Sequence, residues 1–172
     1  MGKENAVKRF YNFFAKFEAV IMVIGMGIMV ALNFANVVAR KALPSVPMSF
    51  TEEMVVLIFL WISMFGISYC YRTHSHTALN LVSEYLPKAG KIIFLFIGAA
   101  VSIAFVSTLT YTGWNMVQNY LKYGQILPST GIPMAVQGFA LPIGGVVIII
   151  TIIMTLIFDI QKLIKGEEKE EK

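Results

Sequence analysis

The sequence predicts an all-α integral membrane protein of one domain, with four transmembrane helices, a short amphipathic interfacial helix and both termini cytoplasmic. Three observations predict it. Of 172 residues, 57% are apolar and 14% charged, and the mean hydropathy is +0.71, whereas soluble domains are roughly 45–50% apolar. Four long stretches carry no ionisable side chain. The basic residues flanking those stretches fall mostly on one side, as the positive-inside rule requires.

The first span is expected over about 17–39, because the 21 residues between Glu18 and Arg40 are all uncharged and roughly 20 helical residues cross a ~30 Å hydrocarbon core. A basic leader of Lys3, Lys8, Arg9 and Lys16 precedes it, which raises a cleaved signal peptide as the alternative. A secretory apolar region, however, runs only about 7–15 residues and ends at a small-x-small cleavage site. Val37-Val38-Ala39-Arg40 fits that poorly, so a retained helix is expected. The second span, about 52–72, contains an uncharged run of 18 residues from Met54 to Tyr71.

The third span, about 90–121, includes 30 uncharged residues, a length of about 45 Å as helix, so it must tilt or project beyond the hydrocarbon. Its second half carries Thr108, Thr110, Thr112, Asn115, Gln118 and Asn119, a composition that either leaves lipid or packs against a partner. The fourth span, about 136–160, is the most apolar and ends at Asp159. Pro142, Gly144 and Gly145 within it predict a kink or a close helix contact. The charged tail 161–172 is a solvated end.

The connections are informative. Pro44 and Pro47 stop the first helix from running into the second, and Ser49-Phe50-Thr51-Glu52 fits a capping box, with Glu52 and Glu53 at the positive end of the helix dipole. Two adjacent acids beside lipid exceed what a cap requires. After Arg72-Thr-His-Ser-His76, the apolar residues Ala78, Leu79, Val82, Tyr85 and Leu86 recur at helical spacing, predicting the interfacial helix over about 77–87. Segment 122–135, with Pro128, Gly131 and Pro133, reads as a turn-rich periplasmic linker. Eleven of the fourteen Lys and Arg lie on the side of the two termini, leaving Arg40, Lys41 and Lys122 on the other.

That distribution also explains the net charge of +4 as topology, since it forms no basic face for nucleic acid. Cys70 is the single cysteine and reads as a small packed hydrophobe. His74 and His76 are the only histidines and lack a third ligand for a metal or haem site. Nucleotide, phosphate-loop, zinc-protease and nucleophile-elbow motifs are absent from the sequence, so no enzyme activity and no cofactor is expected. A self-sufficient ion-coupled transporter places an ionisable group inside its bundle, whereas here Glu18, Arg40, Glu52, Glu53, Arg72 and Asp159 all fall at span ends, where they can snorkel or pair. The residues therefore describe a small membrane subunit with a larger companion. The alternative is an autonomous four-helix exporter working as a homo-oligomer, for which a mid-span acid would be the mark.

Ser49-Phe50-Thr51-Glu52-Glu53-Met54, Trp61, Phe65-Gly66, Arg72, His76 and Leu86-Pro87 together resemble the small membrane subunit of the tripartite ATP-independent periplasmic (TRAP) transporters. Asn36-Val37-Val38-Ala39-Arg40 upstream, and Gly131-Ile132-Pro133 with Ala140-Leu141-Pro142-Ile143-Gly144 downstream, resemble the same family, so the likeness covers roughly residues 10–160. Phe50 stands where the family typically has Trp, Val56 near the place of a common Arg, and Asn80 where an acid commonly follows the His. The resemblance implies a bacterial inner-membrane complex in which a periplasmic binding protein delivers an organic acid, such as sialic acid or a C4-dicarboxylate, to the membrane pair. The large subunit then carries the sodium and substrate sites, and the small subunit is a fixed scaffold. On that reading Arg40, Glu52, Glu53, Trp61, Arg72, His76 and Asn80 are candidates for subunit or lipid contact, and none of them binds substrate.

Overall fold

The computed structural model describes residues 2–42, 49–73 and 88–165. The expected interfacial helix over 77–87, together with His74, His76 and Asn80, lies outside the described residues. Four long helices dominate, α1 (Gly2–Ala42), α2 (Ser49–Arg72), α3 (Lys88–Lys122) and α5 (Ala140–Lys165), with a short α4 (Met134–Gly138) before the last. Each long helix contains a stretch apolar and long enough to cross a membrane. The chain is thus the all-α membrane protein that its charge-free runs predict. At ~1.5 Å per residue α1 is about 60 Å long and α3 about 50 Å, so both extend beyond a ~30 Å hydrocarbon layer.

The helices stand in an open row rather than a closed bundle: α1 packs on α2, α2 on α5, and α5 on α3. Only 6–11% of the apolar stretches of α1, α2 and α3 is buried within the chain, against 39% for that of α5. This contrast makes α5 the centre of the raft and leaves the rest to be covered by lipid or by another protein. The small apolar core lies along α5, where Ile148 and Ile152 meet Ala99 and Val106 of α3, with Met64 and Tyr71 of α2 packed against them. The opposite side of α5 is a free stripe of Ile143, Val146, Ile150, Ile153 and Ile157 at helical three-to-four spacing.

Glycines set the close approaches. A Cβ on Gly144 would lie 2.5 Å from Met64 Cβ of α2, and one on Gly145 would collide with Thr110 Oγ1 of α3, so adjacent residues let two neighbours approach α5. Gly113 meets Leu141 and Gly25 meets Ile62 in the same way. Small residues at helix crossings are how membrane helices pack, because there is little hydrophobic driving force between them in lipid. Pro142 has no N–H for the Gly138 carbonyl four residues back, and Phe139, itself in helical conformation at φ −61° and ψ −19°, separates α4 from α5. Ile143 N–H resumes the ladder to Phe139 O at 3.1 Å.

Gly144→Ala is expected to cost about 1–3 kcal/mol by overpacking, because the atom it meets lies next to the Met64 backbone. Gly27→Ala, where nothing lies within 4 Å, is expected to be neutral or slightly stabilising. Unfolding of the two purified variants in one detergent, followed by circular dichroism, checks the difference.

Candidate functional site

Residues spaced at helical intervals on three helices converge at one end of the raft. Tyr11 and Glu18 are seven apart on α1, Ser68 and Arg72 four apart on α2, and Thr151 and Thr155 four apart on α5, so each set shares a face. Arg72 Nε lies 3.2 Å from Glu18 Oε2, and the two side chains are 5% and 1% exposed. The guanidinium also donates through Nη2 to Glu18 Oε1 at 3.3 Å and to Thr151 Oγ1 at 3.1 Å. Its planar carbon stands 4.6 Å from the centre of the Tyr11 ring, a cation–π distance.

Hydroxyls complete the cluster. Ser68 donates to Glu18 Oε1 at 2.7 Å and lies 2.9 Å from Thr151 Oγ1. The Tyr11 hydroxyl donates to the Arg72 carbonyl at 2.9 Å, which belongs to the last turn of α2, and lies 3.0 Å from Thr155 Oγ1. Burial pushes the Tyr11 phenol above its ordinary value, offset in part by the Thr155 bond and by Arg72, which keeps it a protonated donor. Its ring meets Phe158 edge-on at 5.1 Å. The backbones of α1 and α5 do not pack on each other, so this cluster joins α1 directly to α5, in addition to the packing of α1 on α2.

A second polar group sits at the other end. Arg40, at the end of α1, pairs with Glu52 in the first turn of α2, and both side chains are more than half exposed, at 64% and 60%. Glu53 accepts from the backbone N–H groups of Ser129 and Thr130 at 2.8 and 2.9 Å and from the Thr130 hydroxyl at 2.8 Å. The loop it grips is a tight turn closed by Leu127 N–H to Ile132 O at 2.8 Å and Met134 N–H to Gln125 O at 2.9 Å. Gly124 and Gly131 take the positive φ values of 57° and 70° that the turn requires. Trp61 Nε1 donates to the Val136 carbonyl at 3.3 Å, so α4 is tied to α2 as well.

The expected candidates are thus divided. Arg40 and Glu52 form an exposed pair, Glu53 and Trp61 hold the α3–α5 connection, and Arg72 is enclosed. The capping-box expectation gives way to tertiary partners: Glu52 turns to the full charge of Arg40 and Glu53 to a loop presenting three donors, both stronger attractions than one free amide of its own helix. The sequence does not mark Glu18, Tyr11, Ser68, Thr151 and Thr155 as a site. Their four- and seven-residue spacings are legible in it, but which helix faces meet is not. Among the described residues no group of three or more His, Cys, Asp and Glu side chains could hold a metal ion.

An open row of four apolar helices, with one enclosed ion pair among the described residues, defines a multi-pass membrane protein. The chain belongs to the family described as the DctQ component of the tripartite ATP-independent periplasmic transporters, whose pattern matches residues 29–162. A Haemophilus influenzae protein assigned as a TRAP transporter small permease is 26% identical over 158 residues, 92% of this chain and 96% of its own. The ectoine TRAP transporter small permease protein TeaB of Halomonas elongata is 27% identical over 143 residues, 83% of this chain and 74% of its own. The C4-dicarboxylate TRAP transporter small permease protein DctQ of Vibrio cholerae is 25% identical over 117 residues, 68% and 50% of the two chains. The chain is therefore a small permease subunit of the TRAP class, as its sequence resemblance implies.

Glu18→Leu alone, which strands an enclosed guanidinium, is expected to destabilise the chain by about 3–5 kcal/mol. Glu18→Leu combined with Arg72→Met is expected to recover more than half of that loss, because an apolar pair leaves no buried charge. Glu52→Gln is expected to cost no more than about 1 kcal/mol, as for other exposed pairs. Denaturation in mixed micelles across the set checks all three values. Arg72→Lys should behave like a loss of the pair, since a compact ammonium cannot reach Glu18 and Thr151 in one plane and stack on Tyr11.

Proposed function

We propose that this chain is the stationary scaffold of a sodium-coupled secondary transporter in the bacterial inner membrane that imports an organic acid. A large membrane subunit bound tightly to it carries the ion and substrate sites, and a periplasmic binding protein delivers the substrate transiently. The single observation that carries the reading is the open raft: apolar stretches on α1, α2 and α3 that are about nine-tenths unburied within the chain, with Glu18, the one enclosed carboxylate among the described residues, already held by Arg72. Such a chain has a large surface to offer and, among the described residues, no free enclosed charge with which to couple an ion. Relatives named for ectoine and for C4-dicarboxylates support small organic acids and zwitterions as cargo, with sialic acid in the same class.

Both termini are cytoplasmic in this reading. The N-terminal end of α1 and the C-terminal ends of α2 and α5 meet in the Tyr11–Glu18–Arg72 cluster, on the side where the basic residues concentrate. Arg40 and Glu52, exposed at the opposite end, are the contacts offered to the large subunit, lipid or the binding protein. His76 and Asn80 serve the cytoplasmic interface. Glu53, Trp61 and Arg72 act indirectly, by fixing the surfaces that partners meet.

A tagged chain purified in mild detergent from its native membranes is expected to bring a large polytopic protein with it in stoichiometric amount. Recovery only as a homo-oligomer across several detergents would support the small-exporter alternative. Reconstituted alone with a binding protein and a sodium gradient, the chain is expected to give no uptake, and uptake by it alone would overturn the scaffold role. Glu52→Gln with Glu53→Gln is expected to lower complex yield or uptake while leaving the binding protein's affinity for substrate unchanged.

A further inference from the structure

Close contacts fix how the four long helices are staggered along the raft. Gly25 of α1 meets Ile62 of α2, and Glu18 accepts from Ser68. Gly144 of α5 meets Met64 of α2, Gly145 meets Thr110 of α3, and Leu141 meets Gly113. The pairings step in opposite directions along α1 and α2, and likewise along α3 and α5. Followed residue by residue, they put Val23, Met64, Gly144 and Tyr111 on one level.

The outward apolar surfaces do not share a level. That of α1 runs from Phe13 through Val20, Met26 and Phe34 to Val38, interrupted by exposed Lys16 and Asn33, so Val23 is near its middle. That of α3 runs from Ile93 through Val101 and Phe105 to Leu109. Tyr111 and Trp114 follow, both exposed, and such rings collect where hydrocarbon meets water. Thr112, Asn115, Gln118 and Asn119 are exposed beside and beyond them. The apolar surface of α3 therefore ends at the level where that of α1 is half complete. At ~1.5 Å per residue the centres of the two surfaces are offset by about 20 Å along the raft. The inner helices divide in the same way. Of the large apolar residues that α2 exposes, all but Ile67 lie on the Arg40–Glu52 side of Met64, and on α5 all but Ile143 lie on the Glu18–Arg72 side of Gly144.

A spanning helix of a partner occupies the same hydrocarbon layer as lipid, so these levels mark the layer whichever of the two covers a given face. We propose that the raft is seated obliquely in the bilayer, with hydrocarbon around α1 between Phe13 and Val38 and around α3 between Ile93 and Leu109, and with Asn115, Asn119 and the turn over 124–133 in water beyond it. The inclination is roughly 30° or more, toward the steep end of the range that spanning helices show. It reduces the depth covered by the charge-free run from Met54 to Tyr71 and draws both ends of α2 toward hydrocarbon. Each charge at those ends is already matched within the chain: Glu52 by Arg40, Glu53 by Ser129 and Thr130, and Arg72 by Glu18. The oblique seat requires only that the chain spans a membrane, and it holds whether or not the scaffold reading does.

Four exposed positions test it in the full chain. In a Cys70→Ala background, nitroxide labels are attached singly through Val23→Cys, Met26→Cys, Val101→Cys and Tyr111→Cys, and each chain is reconstituted in vesicles of phosphatidylcholine and phosphatidylglycerol. Relative collision rates with oxygen and with a water-soluble nickel chelate read the depth of each label. Met26 and Val101 are expected at one depth near the middle of the layer, although they lie about 20 Å apart along the raft. Val23 and Tyr111, level in the raft, are expected about 15 Å apart in depth, with Tyr111 at the headgroups. Equal depths for Val23 and Tyr111, or Met26 and Val101 on opposite sides of the midplane, would overturn the oblique seat. Infrared dichroism of the unlabelled chain in oriented bilayers avoids any disturbance by a label: a mean helix tilt above about 20° is expected, and one at or below that value would contradict the proposal.

Discussion

The arrangement of this chain depends on the enclosed Glu18–Arg72 pair. Three helices contribute to it, and two of them, α1 and α5, have no backbone packing on each other. In a single-layer raft, helix positions are poorly determined by apolar packing, because lipid covers a leucine or isoleucine about as well as another helix does. A charge pair in a low-dielectric setting is different. Its partners cannot separate without leaving an ion uncompensated, so it fixes position even where its net contribution to stability is small.

The remaining devices extend that constraint. Gly144 and Gly145 bring α2 and α3 against adjacent faces of α5, and the Trp61 indole ties α4 to α2 through the Val136 carbonyl. Glu53 then holds the turn over 124–133 against the start of α2. One end of the raft is thereby fixed by an ion pair and the other by a carboxylate gripping a loop. The middle is held mainly by glycine contacts and a short row of Ala, Val and Ile, which suits a subunit whose outer surfaces are available to a partner.

Most of the architecture is legible in the sequence, because a charge-free apolar run of about 20 residues matches the thickness of a bilayer and is seldom needed in a water-soluble core. The close contacts at Gly144 and Gly145 are legible for a similarly local reason. The enclosed site is not. Glu18 and Arg72 look like ordinary span boundaries, and nothing in their own neighbourhoods states that the two boundaries meet. Likewise Glu53 sits where a helix cap is expected, and its loop partners Ser129 and Thr130 are more than seventy residues away. Local periodicity specifies which face of a helix is special, while the identity of the facing helix is a property of the assembled raft. Arg40 and Glu52 lie between these cases, since opposite charges at the two ends of one short connection are nearly bound to meet.

The central claim is that the pair at Glu18 and Arg72 holds α1 in place beside the rest of the chain. Spin labels at Val30 on α1 and Ile150 on α5, both exposed, report that geometry in lipid nanodiscs by pulsed dipolar spectroscopy. A single narrow distance distribution in the otherwise unaltered chain, broadened or shifted by Glu18→Leu, is the predicted result. An equally narrow and unshifted distribution in the variant would show that α1 is positioned by something other than the ion pair.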